Sequence, residues 1–199
     1  MATPSAYLDN LIKRLTRLPG IGPRSASRLA FHVLNMKTDE VDALTSAMEA
    51  VKQNIKECTE CGGISDGGRC AVCEDISRDR SVICIVAEPR DMLTLEATGS
   101  FKGIYHVLRG LISPLDGIGP DDIKVDSLIK RCEKAKPEEV IIALNPTIEG
   151  DATTLYISRA LTPMGIKITR IARGLPVGAD LEFADRATII RSFEGRSLV

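Results

Sequence analysis

No apolar run in this chain of 199 residues approaches the roughly 18 that a membrane-spanning helix needs, so a membrane span is excluded. The first residues, Met1-Ala2-Thr3-Pro4, lack the apolar core of a secretory leader, and the chain is expected in a reducing cytoplasm where disulfides are rare. Gly-x-x-x-x-Gly-Lys-Ser/Thr is absent, which argues against a phosphate-loop ATPase. Histidine is scarce: His32 falls in a basic helical stretch and His106 in a short apolar one, and neither completes a nucleophilic set. Only Tyr7, Tyr105 and Tyr156 could serve as a tyrosine nucleophile, and Tyr156 falls inside a helix, a poor place for one.

What is present is globular in balance, with 44% hydrophobic and 27% charged residues. The net charge of −1 hides an asymmetry. Residues 1–37 carry six basic side chains against Asp9 alone, whereas residues 81–166 carry nine basic and twelve acidic ones. A basic front attached to an acidic body suggests two different partners.

The sharpest local pattern is Cys58-Thr59-Glu60-Cys61, eight residues, then Cys70-Ala71-Val72-Cys73. Two Cys-x-x-Cys pairs suit one tetrahedral zinc ion with bonds of about 2.3 Å, and the glycines between them allow a tight return. Two disulfides or four buried thiols are the other readings, and the disulfides are disfavoured without a leader. Cys84 and Cys132 lie in apolar or helical patterns and are expected as small buried thiols. The loop from Gly62 to Arg69 has one basic residue, one acidic residue and no aromatic, so it reads as a structural strut and not a recognition finger.

Ahead of it, Leu8, Leu11, Ile12, Leu15 and Leu18 predict a helix from Ser5 to about Leu18, ended by Pro19-Gly20. After Gly20-Ile21-Gly22-Pro23, residues Ala26, Leu29, Ala30, Val33 and Leu34 predict a second helix. This is a helix-hairpin-helix. Gly20 and Gly22 let backbone approach a phosphate, N–H groups at the second helix's start face it, and Arg24 and Arg28 add charge on the same side. Such a site reads phosphates and not bases, so binding should be sequence-independent and salt-sensitive. A near repeat, Gly117-Ile118-Gly119-Pro120, is followed by Asp121 and Asp122 and is read as a plain turn. A third helix, capped by Thr38 or Asp39, carries Val41, Leu44, Met48, Val51 and Ile55 as a seam, read first as core packing and second as a dimer contact.

Beyond the cysteines the pattern changes to strands near 82–86, 105–108, 140–144 and 167–172, alternating with helices near 89–96, 127–135, 148–161 and 184–193. That alternation predicts a mostly parallel sheet with helices on its faces. Glu88 follows one buried strand, and Glu149 and Asp151 follow another, so the three are expected to converge beyond the strand ends. There they would hold Mg²⁺ or form an acidic patch for a basic partner.

Taken together, Leu18-Pro19-Gly20-Ile21-Gly22-Pro23, the four cysteines, Asn145-Pro146-Thr147-Ile148-Glu149-Gly150-Asp151 and Gly174-Leu175-Pro176-Val177-Gly178-Ala179-Asp180-Leu181-Glu182 resemble the bacterial recombination mediator family RecR over nearly the whole chain. The resemblance implies an α+β multi-module chain: a helix-hairpin-helix DNA-binding domain (1–57), a four-cysteine zinc finger (58–73), an α/β Toprim domain (81–166) and a C-terminal strand-loop-helix segment packed on it (167–199). It further implies a ring-like tetramer or dimer that encircles DNA and, with RecO and RecF, promotes RecA loading on single-stranded gaps coated by single-strand binding protein. By position, Arg24 and Arg28 would contact DNA and Glu149 would lie where the family meets RecO. The family is regarded as non-catalytic. Where topoisomerases and primases have Asp-x-Asp, this chain has Glu149-x-Asp151, and Asp180-Leu181-Glu182, sometimes compared with a Walker B strand, has no phosphate loop to work with. The competing reading is a Mg²⁺-dependent Toprim enzyme, a nuclease or topoisomerase, using Glu88, Glu149 and Asp151.

Overall fold

A computed structural model describes residues 5–196. Met1-Ala2-Thr3-Pro4, where a leader would begin, and the last three residues of the C-terminal segment lie outside the described residues. The chain divides into two compact units, Met1–Ile55 and Lys56–Val199.

The first unit is helical: α1 (Ala6–Leu15), α2 (Pro23–Asn35) and α3 (Thr38–Asn54). α1 stops three residues before Leu18. Thr16 Oγ1 bonds back to the Ile12 carbonyl (2.8 Å), and the N–H groups of Arg17 and Leu18 reach only three residues back, so the last turn tightens before Pro19. Ala26 and Ala30 of α2 are fully buried, small side chains that let helices close on each other. α3 starts one residue earlier than its predicted caps, with Lys37 at the cap position and its N–H donating to the Glu40 carboxylate (3.1 Å). The core-packing expectation for the α3 seam is corrected: α3 buries no residue, and Leu44, Met48, Val51 and Ile55 are 41–56% exposed. Helical periodicity specifies that one face is apolar and says nothing of what covers it.

The second unit opens on a short antiparallel hairpin, β1 (Lys56–Glu57) with β2 (Ile64–Ser65), followed by the short helix α4 (Ala71–Glu74). Then come β3 (Asp79–Val86), α5 (Pro89–Ala97), β4 (Gly103–Val107), α6 (Val125–Ala135), β5 (Glu139–Ile142), α7 (Ile148–Leu161), β6 (Lys167–Arg170) and α8 (Arg186–Glu194). The sheet order is β4-β3-β5-β6 and every pair is parallel. The chain leaves β3 first to one side and then to the other, which opens a crevice beyond the carboxyl ends of β3 and β5.

Period-two alternation along β3 splits the core in two. Ile83 and Ile85 join Ile104, Leu128, Val140, Ile142, Ile157 and Leu161 in the cluster that includes side chains of α6 and α7. Cys84 and Val86 point the other way and join Tyr105, Val107, Met92 and the four knuckle cysteines. The cysteine knuckle is therefore part of the cover on one face of the sheet. Cys84 and Cys132 are both buried, as their patterns predict.

Candidate functional site

The four cysteines are brought together. Their sulfurs lie within 4.8 Å of one another and all four residues are buried, the one such group of metal-ligating side chains among the described residues. None forms a disulfide. Sulfurs on a tetrahedral ion with bonds of about 2.3 Å stand about 3.8 Å apart, and Cys61 and Cys70 Sγ are 3.6 Å apart. The N–H groups of Gly63 and Cys70 donate to Cys61 Sγ (3.4 Å) and Cys58 Sγ (3.3 Å), the bonds a thiolate accepts. As free thiols they titrate unequally: a hydrogen bond from Cys73 draws Cys61 down to about 5, and burial pushes Cys70 up to about 11. The donor set fits one soft metal ion.

The knuckle is fastened to the sheet from outside. The Val107 N–H donates to the Cys61 carbonyl (2.7 Å), and a Cβ on Gly62 would stand 2.8 Å from the Val107 oxygen, so only glycine allows that approach. Arg109, in the left-handed region at φ 63, donates from Nε to Gly62 O (2.8 Å) and from Nη2 to Gly63 O (3.1 Å). Glu60, inside the first Cys-x-x-Cys, takes Arg69 (2.8 Å), Arg80 (3.2 Å) and Arg131 (3.0 Å). Arg69 and Arg80 also reach the Cys73 carbonyl.

The hairpin keeps an open helix start. Gly22 caps α2 with extended backbone, and no acidic residue or capping side chain occupies the first turn. Gly20, Gly22, Arg24 and Arg28 are exposed, and neither arginine pairs with a carboxylate among the described residues. In the repeat at Gly117, by contrast, the Asp122 carboxylate itself takes the Gly119 N–H (2.8 Å).

The expected convergence of three carboxylates is corrected. Glu88 and Glu149 line one crevice of about 590 Å³ with Asp91, Ser113 and Asn145. Asp151 faces a different cavity, of about 510 Å³, lined by Arg173, Asp185 and Arg191. There its carboxylate holds Arg170 (2.7 Å) and Arg173, and Arg173 keeps it below the ordinary aspartate value. On helix α7 successive acidic-x-acidic side chains point about 200° apart, so one crevice cannot take both. Thr147 Oγ1 caps α7 by accepting from the Gly150 N–H (3.1 Å), and a Cβ on Gly150 would collide with the Asn145 carbonyl at 2.0 Å. The Asn145–Asp151 string is thus also a structural helix start.

His106 is buried, with Nε2 on the Lys124 carbonyl (3.1 Å), while His32 is exposed on α2. Tyr105 is sealed in the core, its ring edge-on to Phe101 at 5.0 Å, and offers no nucleophile.

Residues 8–52 match the family described as RecR, helix-hairpin-helix, residues 81–172 the Toprim domain, and residues 174–197 the family described as RecR, C-terminal. Recombination protein RecR of Chlorobium chlorochromatii is 52% identical over 204 aligned residues covering 100% of both chains. The chain belongs to the RecR family. Recombination protein RecR of Thermobifida fusca is 50% identical over 95% of each chain. This RecR-family chain has its four cysteines close enough to share one ion and carries an open hairpin.

The RecR motifs, taken in order along the chain, do not point to Arg109, Arg131 or the arginines on Asp151. Arg109 acts across 47 residues and Arg173 across 22, and no short-range pattern reports such pairs. A charged Glu60 between Cys58 and Cys61 was the one available hint.

Proposed function

We propose that this protein is a DNA-binding recombination mediator without chemistry of its own, acting in the cytoplasm as a closed oligomer that with RecO and RecF promotes RecA loading on single-stranded gaps. The observation that carries the reading is the open start of α2, with Arg24 and Arg28 exposed beside it and paired with no carboxylate among the described residues. One such hairpin neutralises few phosphates and binds weakly, and several around a ring raise the effective concentration with no new contacts. The α3 seam supports self-association: four apolar positions at coiled-coil spacing lie on a helix with no buried residue, and Ile55 follows at its end. Glu88, Asp91 and Glu149 on the crevice supply an acidic face for RecO. The Mg²⁺-dependent enzyme is not favoured, because Asp151 is engaged by two arginines and turned from Glu149.

Cys58, Cys61, Cys70 and Cys73 would hold one structural zinc ion per chain, which when bound supplies a closed cross-link between the two halves of the knuckle. The Toprim sheet supplies its floor through Val107 and Arg109.

Replacing Arg24 and Arg28 with alanine tests the reading. Affinity for DNA should fall about tenfold for every sequence, and the slope of log K against log salt should flatten by about 0.7 to 0.9 for each phosphate no longer neutralised. Unchanged binding by fluorescence anisotropy would remove the hairpin as the DNA site.

A further inference from the structure

The Gly62–Gly63 peptide has something attached at both ends. Its carbonyl oxygen accepts Arg109 Nε at 2.8 Å, and its N–H donates to Cys61 Sγ at 3.4 Å. A peptide unit is planar and stiff, so fixing the carbonyl fixes where the N–H points. A guanidinium on the oxygen also polarises the unit and strengthens the bond its N–H makes at the other end. The next carbonyl, Gly63 O, accepts Arg109 Nη2 and also the Cys58 N–H (2.9 Å), so one side chain steadies the backbone around two of the four ligands. Arg109 occupies a left-handed backbone position (φ 63) that favours glycine, and Glu57 stands 3.8 Å from its Nε. A strained arginine in place of glycine points to work done by its side chain.

We propose that Arg109 is a positioning residue of the metal site: acting through the Gly62–Gly63 peptide on Cys61, it sets how slowly the bound ion leaves. The inference rests on the zinc reading of the four cysteines. It assigns control of the site to a residue of the sheet unit 36 positions past the last ligand in sequence. Outer partners of this kind change metal affinity by about tenfold to a hundredfold.

The test uses the full-length protein loaded with Zn²⁺ and, in parallel, with Co²⁺. Zinc release into excess 4-(2-pyridylazo)resorcinol should be about tenfold or more faster in Arg109→Ala than in the unmodified chain, and intermediate in Arg109→Lys, which keeps the charge and one donor. Arg109→Gly separates the two roles of the position. It relieves the backbone, so a purely conformational role leaves release as slow as before and overturns the proposal; fast release supports it. The thiolate-to-cobalt charge-transfer band should move in Arg109→Ala and Arg109→Gly, and a band unchanged in both would overturn the link to Cys61. Should Arg109→Ala fail to fold, Arg109→Lys and Arg109→Gly carry the same comparison. A chain that binds neither ion fails the metal reading itself, whereas equal release rates in all variants fail Arg109 alone.

Discussion

Gly20-Ile21-Gly22-Pro23 and Gly117-Ile118-Gly119-Pro120 are the same tetrapeptide and adopt nearly the same backbone. Gly20 and Gly117 have φ of 79 and 72, and Gly22 and Gly119 are extended at φ −80 and −97. The residues just beyond them differ. The first tetrapeptide launches the 13 residues of α2 with Arg24 and Ser25 and leaves its N–H groups uncapped by side chains. The second launches a single 3₁₀ turn with Asp121 and Asp122, and Asp122 takes the Gly119 N–H for itself. The tetrapeptide decides the bend, and the two residues after it decide whether the bend is offered to an outside anion.

The same divide runs through the two units. Around the first turn Arg24 and Arg28 are exposed and pair with no carboxylate among the described residues. In the sheet unit, guanidinium groups are engaged internally: three on Glu60, two on Asp151 and one on Glu96. That unit also buries a neutral histidine, whose pKa burial lowers from 6.5 to about 4, reinforced by the nearby Arg131 and Lys124 and opposed by the Lys124 carbonyl and Glu57.

Acid should therefore separate the units, and this is the largest expected effect. Above pH 6.5 His106 is neutral folded or unfolded and costs nothing. Between 6.5 and about 4 only the unfolded chain gains the proton, so stability falls as pH falls, by about 3 kcal/mol at the lower end. Hydrogen exchange across a pH series should show β4 and β5 losing protection over that window while α2 does not. His106→Gln should flatten the profile, and equal loss in α2 would erase the contrast.

Next in size, Arg24→Asp with Ser25→Asp turns the first tetrapeptide into a copy of the second. Affinity for DNA should fall by about a hundredfold at low salt, while thermal stability holds, because acids suit the first turn of a helix. DNA binding that survives would mean the two turns never differed in function.

The smallest effect comes from the opposite exchange. Asp122→Ala frees the Gly119 N–H and should lower stability by about 1 kcal/mol in urea denaturation. It should gain no DNA affinity, since Asp116 and Asp121 remain beside the turn. A gain would show that capping alone separates the two.

Much of this fold was legible in the sequence, for reasons that also mark where reading stopped. Val82–Val86 announces a strand because both faces are buried, yet the strand begins at Asp79, where polar edge residues give no signal. β5 ends at Ile142, and Ala143 and Leu144 continue the apolar run without ladder pairing to β6. The clustering of the four cysteines was legible because Cys-x-x-Cys is a local geometry. Asp151 was grouped with Glu149 because spacing along the chain is visible in a sequence, whereas direction around a helix must be worked out from its pitch. The α3 seam was visible as a pattern, but its cover is not a property of one chain's periodicity.

The floor of the knuckle has a consequence for synthesis. Cys73 leaves the ribosome 36 residues before Arg109, an interval on the order of 2–7 s at ordinary elongation rates. For those seconds the four thiols exist without β4, which ends at Val107, and without Arg109 just beyond it. On the zinc reading, an ion captured then would be held by sulfur alone until β4 joins β3 and brings Val107 and Arg109 onto the knuckle. The order of the sequence thus completes the set of four thiols before the edge strand that backs them is made.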